Sequence, residues 1–175
     1  MDKLIKTKFI ETQSFNQLWL WLILGISGIS TIGIFGFGFY KQIILGQKFG
    51  NNPMPNISLI IVFITTVIVF FLIFLLLRFA KLTTEIDENG IRFKFFPFHR
   101  KYKEYHWDMI DNCEVRKYSP LGDFGGWGIR YGFNKKAYTT SGDKALQLRL
   151  KSGKRIFIGT QRAKELSDFL QSINK

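Results

Sequence analysis

The chain has a single cysteine, Cys113, and two histidines, His99 and His106, in 175 residues. One thiol excludes an intrachain disulfide and a multi-cysteine zinc site, and it suits a reducing compartment. His99, His106 and Cys113 are evenly spaced, which invites a metal reading, but no CxxC or HxxxH spacing accompanies them. Surface or barrel-edge positions are the default for all three, and no metal or other cofactor is expected. Catalytic motifs are equally scarce. Serine, histidine and aspartate occur without a GxSxG elbow. The glycines of Gly122 to Gly128 match neither a GxGxxG turn nor a GxxxxGKS/T phosphate loop. The sequence reads as a protein without catalytic activity.

Charge is missing from two long stretches, Thr12 to Tyr40 and Phe49 to Leu77, although 22% of the chain is charged. About 20 apolar residues cross a hydrocarbon core. Leu18 to Tyr40 therefore reads as a first transmembrane helix, with Trp19, Trp21, Phe39 and Tyr40 placed as interfacial aromatics. A signal peptide would have a shorter apolar region and a small-residue cleavage site, which Lys41 to Lys48 does not offer. Gly25, Gly28, Gly33 and Gly36 share one broad arc of this helix, either as a close-contact stripe or as ordinary glycine of a membrane helix. Gly50, Asn51, Asn52, Pro53, Met54 and Pro55 break the helix, so residues 41–56 form an extracytoplasmic loop. Ile57 to Leu77 is the second span, stopped by Arg78 and Lys81. Neither span holds an ionisable residue, which disfavours a transporter, channel or intramembrane protease.

The net charge of +12 invites a nucleic-acid reading, but no RNA- or DNA-binding motif interleaves with the cations, and no nucleic-acid partner is expected. Retention of Lys and Arg on the cytoplasmic side explains the excess more simply. The positive balance is +9 after Leu77, +2 in the 41–56 loop and +1 up to Gln17. Both termini are expected in the cytoplasm, the protein being a multi-pass component of the inner membrane. Residues 1–17, with Lys3, Lys6 and Lys8 against Asp2 and Glu11, read as a short cytoplasmic surface helix with a topogenic role.

From residue 82 to 175 the pattern turns to alternation, the mark of strands with one buried face. Leu82, Thr84 and Ile86 pair through an Asp87–Gly90 turn with Ile91, Phe93 and Phe95. Further strands are expected over Arg100–His106, Asn112–Tyr118, Ile129–Phe133 and Lys136–Thr140, with a helical turn at Trp107–Ile110. Leu146, Leu148 and Leu150 turn at Ser152–Gly153 into Ile156 and Ile158, leaving Gln147, Arg149, Lys151 and Arg155 outward. Ala163, Leu166, Phe169, Leu170 and Ile173 recur at helical spacing behind a candidate N-cap, Thr160. The fold class is α+β: a transmembrane hairpin, then a small barrel or sandwich of about seven strands plugged by one C-terminal helix.

The element order, the stretch Gly125-Gly126-Trp127-Gly128-Ile129-Arg130, Ala137-Tyr138, and Ile158-Gly159-Thr160-Gln161-Arg162 together resemble bacterial membrane proteins with a pleckstrin-homology-like domain. The resemblance covers about Leu82 to Lys175 and makes Gly126, Trp127, Gly128 and Arg130 its motif residues. It implies the pleckstrin-homology-like barrel and little chemistry, because that fold hosts lipid binding, peptide binding and assembly alike. Phosphoinositide-binding members use a basic loop between the first two strands. Here that turn reads Asp87-Glu88-Asn89-Gly90 and departs from the pattern.

Two surfaces follow as candidates. Trp127 either packs under the glycine loop or presents its ring to a partner. Arg92, Lys94, Arg149, Lys151, Lys154 and Arg155 are either solvated strand-edge charges or a surface for anionic lipid headgroups or a protein partner. An interaction or scaffolding role is the leading expectation, with a headgroup sensor as the alternative.

Overall fold

The computed structural model describes residues 8–174, so Asp2, Lys3 and Lys6 lie outside the described residues. The chain divides into two compact units: Gln17–Arg78, and the residues up to Asn16 together with those from Phe79 onward.

The first unit is a pair of apolar helices. Helix α1 (Leu18–Phe39) continues through a π-helical turn at Tyr40–Ile44, and α2 covers Asn56–Phe79. The first helical run therefore carries Lys41 inside its last turn and ends later than the expected Tyr40. Both helices are long and apolar enough to cross a membrane. Their outward residues, among them Ile26, Ile29, Ile61, Phe71 and Leu72, are exposed, a surface for which water is a poor solvent. Two of the four arc glycines make close contacts inside the pair. A Cβ at Gly28 would lie 3.1 Å from the Phe70 ring, and one at Gly36 would lie 3.4 Å from Phe63, whereas Gly25 and Gly33 face open space. The loop is fastened by Gln42, whose side-chain amide donates to Met54 O (2.7 Å) and Asn56 Oδ1 (2.8 Å).

The second unit begins before the helices. Residues expected to form a surface helix instead form strand β1 (Phe9–Ser14), paired antiparallel with β2 (Lys81–Ile86) from Phe9↔Ile86 to Ser14↔Lys81. Strands β3 (Gly90–Phe96) and β4 (Lys103–His106) complete a four-stranded sheet in the order β1-β2-β3-β4. The helical pair is thus inserted between the first two strands, and the Asp87–Gly90 turn joins the second and third. Gly90 is required at that turn, because a Cβ there would collide with the Tyr105 carbonyl oxygen.

A 3-10 turn at Trp107–Met109 leads into β5 (Ile110–Lys117), a short helix α3 (Pro120–Phe124), β6 (Gly128–Gly132), β7 (Lys135–Thr139), β8 (Lys144–Leu150) and β9 (Arg155–Gly159). These strands form a second sheet in the order β5-β8-β9-β7-β6, with β7 and β9 parallel. Helix α4 (Ala163–Ser172) follows. Among the described residues eight strands come after the helical pair, not about seven, and β1 makes nine.

One hydrophobic core joins the sheets: Phe9, Leu82, Ile86, Ile91, Phe93 and Phe95 from one, Tyr138, Leu146, Leu148, Ile156 and Ile158 from the other, and Leu166, Phe169 and Leu170 from α4. β1 reaches this core with Phe9 alone. Its next inward residues, Glu11 and Gln13, are polar and buried. Glu11 accepts from the Thr160 hydroxyl (2.7 Å) and the Gln161 N–H (2.8 Å). Gln13 donates to Gly159 O (2.6 Å) and accepts from Thr140 Oγ1 (3.3 Å). β1 is thereby tied to the connection between β9 and α4. The residue capping α4 is Arg162, and the Thr160 hydroxyl accepts its N–H (3.1 Å).

Buried polar groups are costly unless paired. Glu11→Ala would leave the Gln161 N–H and the Thr160 hydroxyl without their acceptor, a loss of about 2–3 kcal/mol. Urea unfolding of the β unit within the intact protein should report it as a lower midpoint with an unchanged slope.

Candidate binding surface

The six candidate cations fall into two groups. Arg92 and Lys94 lie on the outer face of β3, among side chains that already engage them. Arg92 donates to Glu85 Oε2 through Nε (2.9 Å) and Nη2 (2.7 Å), while Lys8 approaches the same oxygen at 2.6 Å. The Tyr102 hydroxyl donates to Glu85 Oε1 (2.8 Å), and Lys94 Nζ stands 4.9 Å from the Tyr102 ring centre. Burial alone pushes the Glu85 carboxyl upward, but the donors Lys8, Tyr102 and Arg92 more than reverse this and hold it at about 2. The cluster binds β1, β2, β3 and the approach to β4 to one another.

The other four cations belong to the β8–β9 hairpin. Arg149 and Arg155 are direct cross-strand partners, and Lys151 and Lys154 flank the Ser152–Gly153 turn between them. The sheet also brings up cations that the sequence did not single out. Lys135 of β7 is the register partner of Arg155. Arg116 of β5 donates to Gln147 Oε1 (3.2 Å). Gln147, expected outward, lies on the outer face but is only 5% exposed.

Gln147 is covered because this face carries a small second core. Tyr118, Ala137, Ala145 and Phe157 are buried there with Phe124 of α3 packed on them. The Phe124 and Phe157 rings meet edge-on at 5.1 Å. The glycine-dense stretch Gly122 to Gly128 reads as a loop in sequence, but its first residues complete helix α3. The helix starts at Ser119, whose hydroxyl accepts the Gly122 N–H, and ends at Gly125 in the left-handed region.

The motif residues build this cover. Gly126 and Gly128 adopt φ values of 123° and 106°, where a side chain is strained. Trp127 is half-buried, and its Nε1 donates to Gly142 O (2.8 Å), tying the loop to the β7–β8 connection. Arg130 Nε donates to Trp127 O (3.0 Å). These angles and hydrogen bonds give the four residues a part in shaping the loop, with Trp127 partly and Arg130 fully at the surface. Alternation could not reveal α3, but Pro120 followed by Gly125 is the start-and-stop pair of a short helix.

The metal candidates occupy separate surroundings. His99 packs against Tyr138 (5.4 Å) and Phe93 (6.5 Å), and burial, helped by Lys103, lowers its pKa. His106 is exposed at the end of β4. Burial pushes the Cys113 thiol up to about 12, so it stays protonated and is a poor nucleophile or ligand. Among the described residues no group of three or more His, Cys, Asp or Glu is placed to hold a metal ion.

Glu85 makes the first sheet sensitive to acid. Its folded-state pKa lies below the ordinary 4.5, so its stabilisation is complete above about pH 4.5 and is lost as pH falls toward 2. Glu85→Gln should cost about 1–2 kcal/mol at pH 7. The gap between variant and wild type in urea midpoints should close between pH 4.5 and 2, and a gap independent of pH would contradict the assignment.

No curated protein matches the sequence. One family model does, from residue 11 in β1, through both helices and all later strands, to residue 174 after α4. The chain belongs to the family of unknown function DUF6141.

Proposed function

We propose that the protein is a membrane-anchored binding protein without catalytic activity, in which the helical pair crosses the bilayer and the β unit docks a partner at the cytoplasmic face. The observation that carries this reading is the insertion of the helical pair between two paired strands. Ser14 and Lys81 are cross-strand partners, so the chain leaves and re-enters the β unit at one place. Two crossings therefore return the chain to the side it left, independently of any count of flanking charge. The charge balance then supports the cytoplasmic side, because the β unit carries most of the excess.

The β unit is proposed to be pleckstrin-homology-like. With the β6–β7 hairpin set aside, the remaining strands form a four-stranded and a three-stranded antiparallel array, β1-β2-β3-β4 and β5-β8-β9, followed by α4. That supports the resemblance, with two departures: the helical pair occupies the first strand connection, and the motif Gly126 to Arg130 lies on an inserted hairpin. His99 and Cys113 are absorbed in packing, which supports binding over chemistry. A second reading, attraction of anionic headgroups, is favoured by the row Arg149, Arg155 and Lys135.

The protein should remain in the membrane pellet after alkaline carbonate washing. In a Cys113→Ser background, Thr12→Cys and Ser152→Cys should both react with an impermeant thiol reagent in sealed inside-out vesicles and not in sealed right-side-out vesicles, with detergent-solubilised protein as the control that both thiols are accessible. Reaction from opposite sides would contradict the topology. Crosslinking in intact membranes should give a discrete adduct with another protein, and products containing this chain alone would remove the protein-docking reading.

A further inference from the structure

The outer face of the five-stranded sheet carries more positive charge than its own carboxylates balance. Arg149 is the register partner of Arg155, and Arg155 is the register partner of Lys135, so three cations stand side by side on β8, β9 and β7. Strands are spaced at about 4.8 Å, which places all three within roughly 10 Å. Like charges opposite one another on neighbouring strands repel and weaken the sheet. Nearby carboxylates answer only part of this charge. Asp123 lies 3.7 Å from Lys135 Nζ, Glu114 lies 3.8 Å from Arg116 Nη1, and Asp143 lies 3.3 Å from Lys117 Nζ. Among the described residues, Arg149 and Arg155 have no carboxylate partner.

Beside this row is a cleft of about 110 Å³. Arg116, Lys117, Lys135 and Arg155 line it with Asp123, and Tyr118, Gln147 and Phe157 complete its walls. A water occupies about 30 Å³, so the space holds a few waters or one tetrahedral oxyanion and is too small for a drug-sized ligand. Guanidinium forks match the oxygen spacing of phosphate and bind it through paired, charge-assisted hydrogen bonds. The packed Phe124–Phe157 pair beneath excludes water from one side, which reduces screening of the cations above.

We propose that this cleft binds a terminal phosphate group, held by Arg155 and Arg116, with Arg149 and Lys135 supplying the remaining field. The inference rests on the reading of the β unit as a binding module and names the ligand chemistry of one of its faces. The phosphate is carried either by a lipid headgroup or by a soluble phosphate ester. Lys94, on the other sheet, takes no part.

The test uses the full-length protein at constant ionic strength. In non-ionic detergent, inorganic phosphate replacing chloride should raise the thermal midpoint saturably. Arg155→Gln and Arg149→Gln should each weaken the apparent affinity at least tenfold while keeping or raising the midpoint in chloride, because each relieves like-charge repulsion. Lys94→Gln should leave the affinity unchanged. In phosphatidylcholine nanodiscs, added phosphatidic acid competes with inorganic phosphate if the group is a lipid headgroup and does not compete if it is a soluble ester. Either result upholds the site, provided that binding depends on Arg155. Equal responses in wild type, Arg155→Gln and Arg149→Gln, or no saturable binding in either medium, would overturn it. Recovery of the protein without detergent would overturn the membrane reading alone and leave the phosphate titration interpretable.

Discussion

The antiparallel pairing of β1 with β2 is the constraint on which the rest of the architecture depends. It closes a loop from Phe15 to Ala80 that contains both apolar helices, and such closure costs entropy that grows slowly with loop length. The compensation is local to β1. Phe9 enters the core, Glu11 and Gln13 satisfy buried donors and acceptors at the β9–α4 connection, and Lys8 joins the Glu85 cluster. The pairing ties the first residues of the described chain to its last helix, so the β unit is assembled from both sides of the helical insertion.

The same residue type meets opposite circumstances on the two sheets. On the four-stranded sheet, Arg92 converges with Lys8 and Tyr102 on one carboxylate, which fixes their geometry. On the five-stranded sheet, Arg149 and Arg155 face each other with no carboxylate partner among the described residues. Arg92 is fixed by two short hydrogen bonds to a largely buried carboxylate, whereas Arg116 and Lys135 meet only exposed carboxylates, at 3.8 and 3.7 Å. The facing pair Arg149 and Arg155 weakens its own sheet and is relieved by an anion from outside. This contrast separates the six charges that looked equivalent in the sequence.

Where hydrophobic periodicity was undisturbed, the sequence was legible. The helices followed from charge-free runs, the Leu82–Phe95 and Leu146–Ile158 hairpins from strict alternation, and α4 from its helical spacing. β1 was missed because two of its three inward residues are Glu11 and Gln13, whose burial makes sense only with Thr160, Gln161 and Gly159 in view. The cover over the second sheet was missed for a related reason. Ala137, Ala145 and Phe157 sit at outward positions, and only α3, brought over them by the Gly125–Gly128 loop, turns that face into an interior. The candidate surface was half legible: Arg149 and Arg155 could be named, but Arg116 and Lys135 join them only through register.

The β1–β2 pairing can be measured directly. Thr12 and Thr83 are register partners whose hydroxyl oxygens lie 3.3 Å apart, close enough for a disulfide between cysteines placed there. Thr12→Cys and Thr83→Cys together, in a Cys113→Ser background, should crosslink under mild oxidation. Protease cleavage within residues 46–55 would then leave the two halves joined until reduction. Separation of the halves without reductant, with both thiols still reactive, would contradict the account.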